Sequence, residues 1–211
     1  IKSKNNYVFV ASGRGGLKIL KMNETSDDDT SGDATAACAD ATNYVSYTGG
    51  DWMNLNSNEH KDYKGSVSVQ GLNVNAGAVL NFSGSLQVNQ YANVNSNGLY
   101  NHCGALVVME GLNVNSTTNV YGSLTVYKQL NINSNAELYV KGSLAQGALA
   151  QNQSMMVNGT LLIEGNATIY GNLTINSGGK IKFVTPDSTV KVYGTITNNG
   201  EVQNGSLQKI N

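Results

Sequence analysis

The side chains able to do acid–base, nucleophilic or metal chemistry in this 211-residue chain are few and far apart. Its two histidines, His60 and His102, have no Ser, Cys or carboxylate at the spacing of a catalytic motif. Glycan cleavage needs paired carboxylates, or an acidic calcium cluster beside a basic group, on one face. Glu110, Glu137, Glu164 and Asp187 are scattered through different positions of the chain. Asp27, Asp28 and Asp29 do lie together, in NETSDDDTSGD, but that stretch lacks the DxDxDG spacing and distal Glu of a calcium loop. A solvated acidic loop is expected there. The GRGG run ending at Gly16 has no helical pattern after it to bring a dipole to a phosphate, so a hairpin turn is expected. From these residues we expect no catalytic centre, no metal and no cofactor.

Two cysteines, Cys38 and Cys103, are too few for a disulfide scaffold, and no CxxC or Cys/His spacing suggests zinc. Spacing alone favours two free or partly buried thiols. The alternative is a Cys38–Cys103 bridge pinning the N-terminal segment to the rest, which would imply an oxidising compartment. Net charge is −1 with 13% charged residues, so nothing electrostatic recommends nucleic acid or an anionic membrane as a partner. No apolar run reaches the length of a membrane span, and no signal peptide is visible. The chain opens with Ile1, as a piece of a longer precursor would.

The element that must position everything else is a repeat. GSVSVQGLNVNAGAVLNFS, GSLQVNQYANVNSNGLYNHC, GALVVMEGLNVNSTTNVY and GSLTVYKQLNINSNAELYVK begin at Gly65, Gly84, Gly104 and Gly122, a period of about 18 to 20 residues. Units of that size cannot bury an apolar face alone and must stack. Within each unit apolar residues alternate with the two-residue period of a strand. About three short strands fit per unit, which predicts an all-β parallel β-helix of three-sided coils. Stacked in register, one inward column is Val67, Leu86, Leu106 and Leu124, beside Val69, Val88, Val108 and Val126. Another face gives Val74, Val94, Val114 and Ile132, and the remaining one Leu80, Tyr100, Val120 and Leu138. His102 aligns with Phe82 and Val140, so a packed histidine is expected.

An asparagine column follows the face of Val74 and Val94: Asn75, Asn95, Asn115 and Asn133. Asn tolerates the left-handed backbone of a sharp corner, and its amide can donate to one copy and accept from the next. The pattern resembles the asparagine ladder of right-handed β-helices such as the pectate lyases, and that resemblance implies a right-handed coil. WMNLNSN at Trp52–Asn58 aligns with QLNINSN at Gln129–Asn135, which adds Asn56 to the ladder and starts the solenoid at about residue 44. Beyond Gly142 the register loosens, with Gln146 and Gln151 at apolar positions, and later units restore it. The outward residues Ser66, Ser85, Ser123, Asn73, Asn93, Asn113 and Asn131 are small and uncharged.

Residues 1–22 stand outside the repeat. Tyr7–Ala11 and Leu17–Leu20 read as strands joined by Ser12–Gly16. NNYVFVASGRGGLKILKMN resembles one repeat of an LVIVD-type β-propeller, a module of bacterial secreted and surface proteins. The resemblance implies that a propeller lay upstream. Residues 23–43 read as a polar linker or cap, with a helical turn expected in Ala34–Ala41, and 44–211 as the β-helix. The function expected is a non-catalytic structural or adhesive module, a rigid stalk at the cell surface or outside the cell. Surface glycans or other surface proteins are its expected partners, and the hairpin's apolar residues offer a route to an oligomer. The alternative is a carbohydrate-binding β-helix, with Tyr121 and Tyr127 as candidate ligand contacts. A polysaccharide lyase or hydrolase ranks third.

Overall fold

The structure, a computed structural model, describes residues 2–4, 7–11, 17–21, 38, 40–147 and 153–211, the first three segments by their backbone. It divides into two compact units, Ile1–Asp33 and Ala34–Asn211. In the first, Tyr7–Ala11 pairs antiparallel with Leu17–Lys21, as the alternation predicts, and Lys2–Lys4 adds a third antiparallel strand to Tyr7–Ala11. The turn at Ser12–Gly16 and the acidic stretch Asn23–Asp33 lie outside the described residues, as does Gln151.

The second unit is a β-solenoid whose strands pair in parallel from coil to coil. The first face is an eight-stranded sheet, one strand per coil, from Trp52–Leu55 through Gly71–Val74, Tyr91–Val94, Gly111–Val114 and Gln129–Ile132 to Ile196–Asn198. The second and third faces share another sheet. In the early coils a single ten-residue strand covers both, as in Val79–Val88 and Leu99–Val108. Later coils break it in two, as in Thr117–Val120 on the second face and Leu124–Val126 on the third.

A glycine column makes the corner between them. Gly65, Gly84 and Gly104 bend the long strands at φ of 148°, 122° and 142°, a region L side chains rarely enter. The backbones also approach closely there. A Cβ on Gly104 would stand 2.0 Å from the Gly84 carbonyl oxygen, and one on Gly122 would stand 1.9 Å from that of Gly104. From Gly84 onward the initial glycine of each unit is therefore a packing requirement of the stack.

Inside, like lies on like. Val74, Val94, Val114 and Ile132 stack on the first face, and Leu86, Leu106, Leu124 and Leu144 on the third. All of these are essentially inaccessible to solvent, so each coil buries what it could not bury alone. Met53 and Leu55 enter the core, and Val45–Ser46 pairs with Tyr63–Lys64, so a coil precedes the first clear repeat. Ahead of it a short 3-10 turn spans Asp40–Asn43.

Three expectations are corrected. The column expected to run Leu80, Tyr100, Val120, Leu138 has Thr118 in its third place, and Val120 instead stacks on His102 and Val140. The coil between Val114 and Thr117 has lost two corner residues, which moves the register of its next strand. The left-handed corner residues are Asn58, Gly77, Asn97, Asn135 and Gly178, each two places after the ladder position. At these turns the ladder residue's carbonyl accepts from the third residue on (Ala78 to Asn75 at 2.9 Å, Gly98 to Asn95 at 2.9 Å). Positive φ at a turn's third residue favours Asn or Gly there. Finally, Cys38 and Cys103 are not free thiols. They form a disulfide, with Cα atoms 5.6 Å apart and a sequence separation of 65.

Candidate functional site

The solenoid separates its titratable groups. His102, on the inner side of Leu99–Val108, is fully buried between Phe82 and Val120. Its ring stacks on Phe82 at 5.5 Å, and Nδ1 shares a 2.9 Å hydrogen bond with the Tyr100 hydroxyl. Nε2 has no hydrogen-bond partner. Burial holds the imidazole neutral, its pKa pulled down to about 4, against a partial opposing pull from the backbone of Ala105 and Gly84. Burial also pushes the Tyr100 hydroxyl up. His60 lies on the outside, bonded to Asp62 at 3.0 Å and to the Asn81 amide at 3.2 Å. One histidine faces the core and the other faces solvent, so they cannot share a substrate.

The carboxylates are dispersed as well. Glu110 pairs with Lys128 at 2.5 Å, and Glu164 accepts from the Tyr139 hydroxyl. Glu59 is held below the usual carboxylate range by the Asn56 backbone N–H, then by Lys61. Among the described residues no three of His, Cys, Asp and Glu are grouped to hold a metal.

In sequence Tyr121 precedes the strand Leu124–Val126 and Tyr127 follows it. Tyr121 meets Tyr139 edge to face at 5.9 Å, and burial raises its hydroxyl pKa. Tyr127 takes a corner position, its N–H bonded to the Val108 carbonyl at 2.9 Å.

Side-chain amides form ladders at more than one position. In the expected column Asn95 donates to Asn75 Oδ1 at 3.1 Å and Asn133 to Asn115 Oδ1 at 2.5 Å. At its start Asn75 donates to the Leu55 carbonyl, while the Asn56 backbone N–H goes to Glu59. Asn176 and Asn158 add a later link at 2.7 Å. A longer ladder stands in the middle of the first face, where only small polar decoration was expected. Asn73 donates to Asn54, Asn93 to Asn73, Asn113 to Asn93 and Asn131 to Asn113, all at 2.7 to 2.9 Å. A third runs Asp62, Asn81, Asn101, Asn119 on the second face.

Beside the five-asparagine ladder runs a column that sequence reasoning missed: Trp52, Gly71, Tyr91, Gly111, Gln129. The rings of Trp52 and Tyr91 are about half exposed, at 48% and 47%. Each lies against a glycine of the next coil. A Cβ on Gly71 would fall 2.1 Å from the Trp52 ring, and one on Gly111 would fall 3.0 Å from Tyr91. Both glycines are buried although they sit on an outer face, because the rings cover them. The signal was present in the aligned units, as an alternation of aromatic and glycine at one position. On the third face a shallow depression of about 370 Å³ is lined by Ser66, Ser68, Ser85, Gln87 and Val107 among others. Comparison with known proteins finds no matching family model, no matching curated protein and no matching solved structure.

Proposed function

We propose that this chain is a non-catalytic structural or adhesive module, a rigid stalk displayed outside the cell. The observation that carries the reading is the continuous ladder of strands and amides. Eight parallel strands stack on one face without a change of direction, and five successive asparagines are linked across them. Such a stack resists bending because every coil is hydrogen-bonded to both neighbours. The Cys38–Cys103 bridge supports an oxidising, extracellular setting. The resemblance of the first 22 residues to an LVIVD-type propeller repeat supports a bacterial surface protein in which the stalk follows a propeller.

The test is to remove two whole coils, Gly84–Tyr121, from the full-length protein on its native cell together with Cys38→Ser, which leaves no unpaired thiol. Shortening the stalk should bring the upstream part closer to the surface, read as lower antibody access and weaker attachment. Unchanged access and attachment would overturn the stalk reading. So would release of reducing ends from a polysaccharide by the purified chain.

A further inference from the structure

We propose that the outer surface of the first face, in its first coils, is a binding strip for a neutral, extended β-1,4-linked oligosaccharide. The proposal goes beyond the stalk reading and stands apart from it, since a stalk without glycan affinity remains a stalk.

Three observations converge there. First, Trp52 and Tyr91 are half-exposed rings, each packed against a glycine of the next coil that leaves room for it. The axial C–H groups of a pyranose stack on the exposed part of such an aromatic ring. Trp and Tyr also give up little conformational entropy on binding. Second, the rings are two coils apart, with Gly71 between them, a separation of about 9.6 Å at ordinary strand spacing. That is close to one disaccharide repeat of a straight β-1,4-linked chain, so rings at both positions would meet every second sugar. A coiled α-1,4-linked chain does not keep that line.

Third, the polar partners lie alongside. Each ladder amide uses one N–H and one oxygen within the ladder, as Asn93 does with Asn73 and Asn113. An amide has two N–H donors and two acceptor lone pairs. At Asn54, Asn73, Asn93 and Asn113, none of them buried, that leaves capacity for sugar hydroxyls, whereas the Oδ1 of Asn131 is buried. The two outward columns from Trp52 to Asn131 carry no charge. At the adjoining corner Glu110 is closed by Lys128, and Asp51 adjoins Trp52. A neutral glycan suits this surface and an anionic one does not.

The experiment uses the whole chain and its single tryptophan as reporter. Cellohexaose and chitohexaose are titrated while Trp52 fluorescence and binding heat are followed, with maltohexaose and hexagalacturonate as controls. The expected result is saturable binding of at least one β-1,4 hexamer, with a change in Trp52 emission, and at least about tenfold weaker binding of both controls. Tyr91→Ala should weaken it at least about tenfold, seen in the heat and in the emission, while Tyr91→Phe should bind nearly as the parent does. Trp52→Ala should abolish the heat. Because each ring packs on a buried glycine, the two Ala variants should melt a few degrees lower yet stay folded at the assay temperature, while Tyr91→Phe should melt as the parent does. Absence of binding to both β-1,4 hexamers overturns the proposal, as does binding indifferent to Tyr91→Ala and Trp52→Ala. Light scattering that showed a dimer lost in Trp52→Ala would overturn it in favour of a second copy of this chain on the same face.

Discussion

Two adjacent substitutions, Leu112→Asp and Asn113→Asp, test the inside–outside assignment and the ladder together. Leu112 is fully buried between Ala92 and Leu130 in the coils on either side. Its removal forfeits about 2 to 5 kcal/mol of apolar packing, and the new carboxylate has no partner in a dry stack. Against a total stability of order 5 to 15 kcal/mol, this coil should not fold cooperatively. Asn113 sits mid-ladder, donating to Asn93 and accepting from Asn131, each at 2.9 Å. An ionised carboxylate in its place keeps the bond from Asn131 and loses the one to Asn93, setting oxygen against oxygen. Because the site is half exposed and water can intervene, the net cost should be about 1 to 2 kcal/mol, or several degrees in Tm.

The ladder adds a pH signature that a merely solvent-facing carboxylate would lack. Once protonated, the carboxyl introduced by Asn113→Asp has an O–H that can donate to Asn93 Oδ1 and a carbonyl that can accept from Asn131. Folding therefore favours the protonated form and raises the folded-state pKa above the unfolded value of about 3.9. The deficit relative to the parent is small below that pH and grows as pH rises through and above it. Thermal unfolding of both variants followed by circular dichroism from pH 3 to 7 is the assay. Equal melting temperatures at pH 7 would mean the faces are assigned backwards. An Asn113→Asp deficit that did not shrink in acid would refute the ladder.

Three further outcomes are expected. Reducing the Cys38–Cys103 bridge, which closes a loop of 65 residues, should cost about 4 kcal/mol by loop entropy. A thermal melt with and without reductant, beside Cys38→Ser/Cys103→Ser, measures it. Gly104→Ala should cost about 3 kcal/mol or more, from positive φ and a Cβ 2.0 Å from the Gly84 carbonyl. Gly50→Ala, where a Cβ meets nothing within 4 Å, should stay within about 0.5 kcal/mol, both variants being compared by urea unfolding. Because the pKa of His102 falls to about 4 on folding, stability should be full above 6.5 and lost as pH falls from there through 4, by up to about 3 kcal/mol. In His102→Leu that acid-side loss should be absent, whatever its constant cost from the stranded Tyr100 hydroxyl.

The solenoid was legible because two constraints of different kind point to the same units. Alternating apolar residues give the strands, and a glycine recurs where backbone must touch backbone. Counting back from that glycine gives the second-face register correctly: Leu80, Tyr100, Thr118 and Leu138 each stand four places before Gly84, Gly104, Gly122 and Gly142. Choosing the apolar neighbour instead selects Val120, because a buried Thr contradicts the apolar rule. The left-handed corner was legible too, in a column where only Asn and Gly occur, yet the ladder asparagine two places earlier drew the attention. The disulfide was legible only as the alternative to two free thiols, since Cys38 precedes the repeat and no period relates it to Cys103.

The surface was harder to read than the core for a physical reason. An inward position has one job, to be apolar and of the right size, so its column is uniform. An outward position has a job only in combination with its neighbours. Gly71 and Gly111 look like two more flexible residues until Trp52 and Tyr91 are placed on them, and Asn73, Asn93 and Asn113 look like solubilising decoration until each amide is seen to hold the next. A column read singly says whether a face is wet. Two columns read side by side say what the wet face is shaped to meet, and here one supplies two aromatic rings, Trp52 and Tyr91, two coils apart, and the other a row of linked amides beside them.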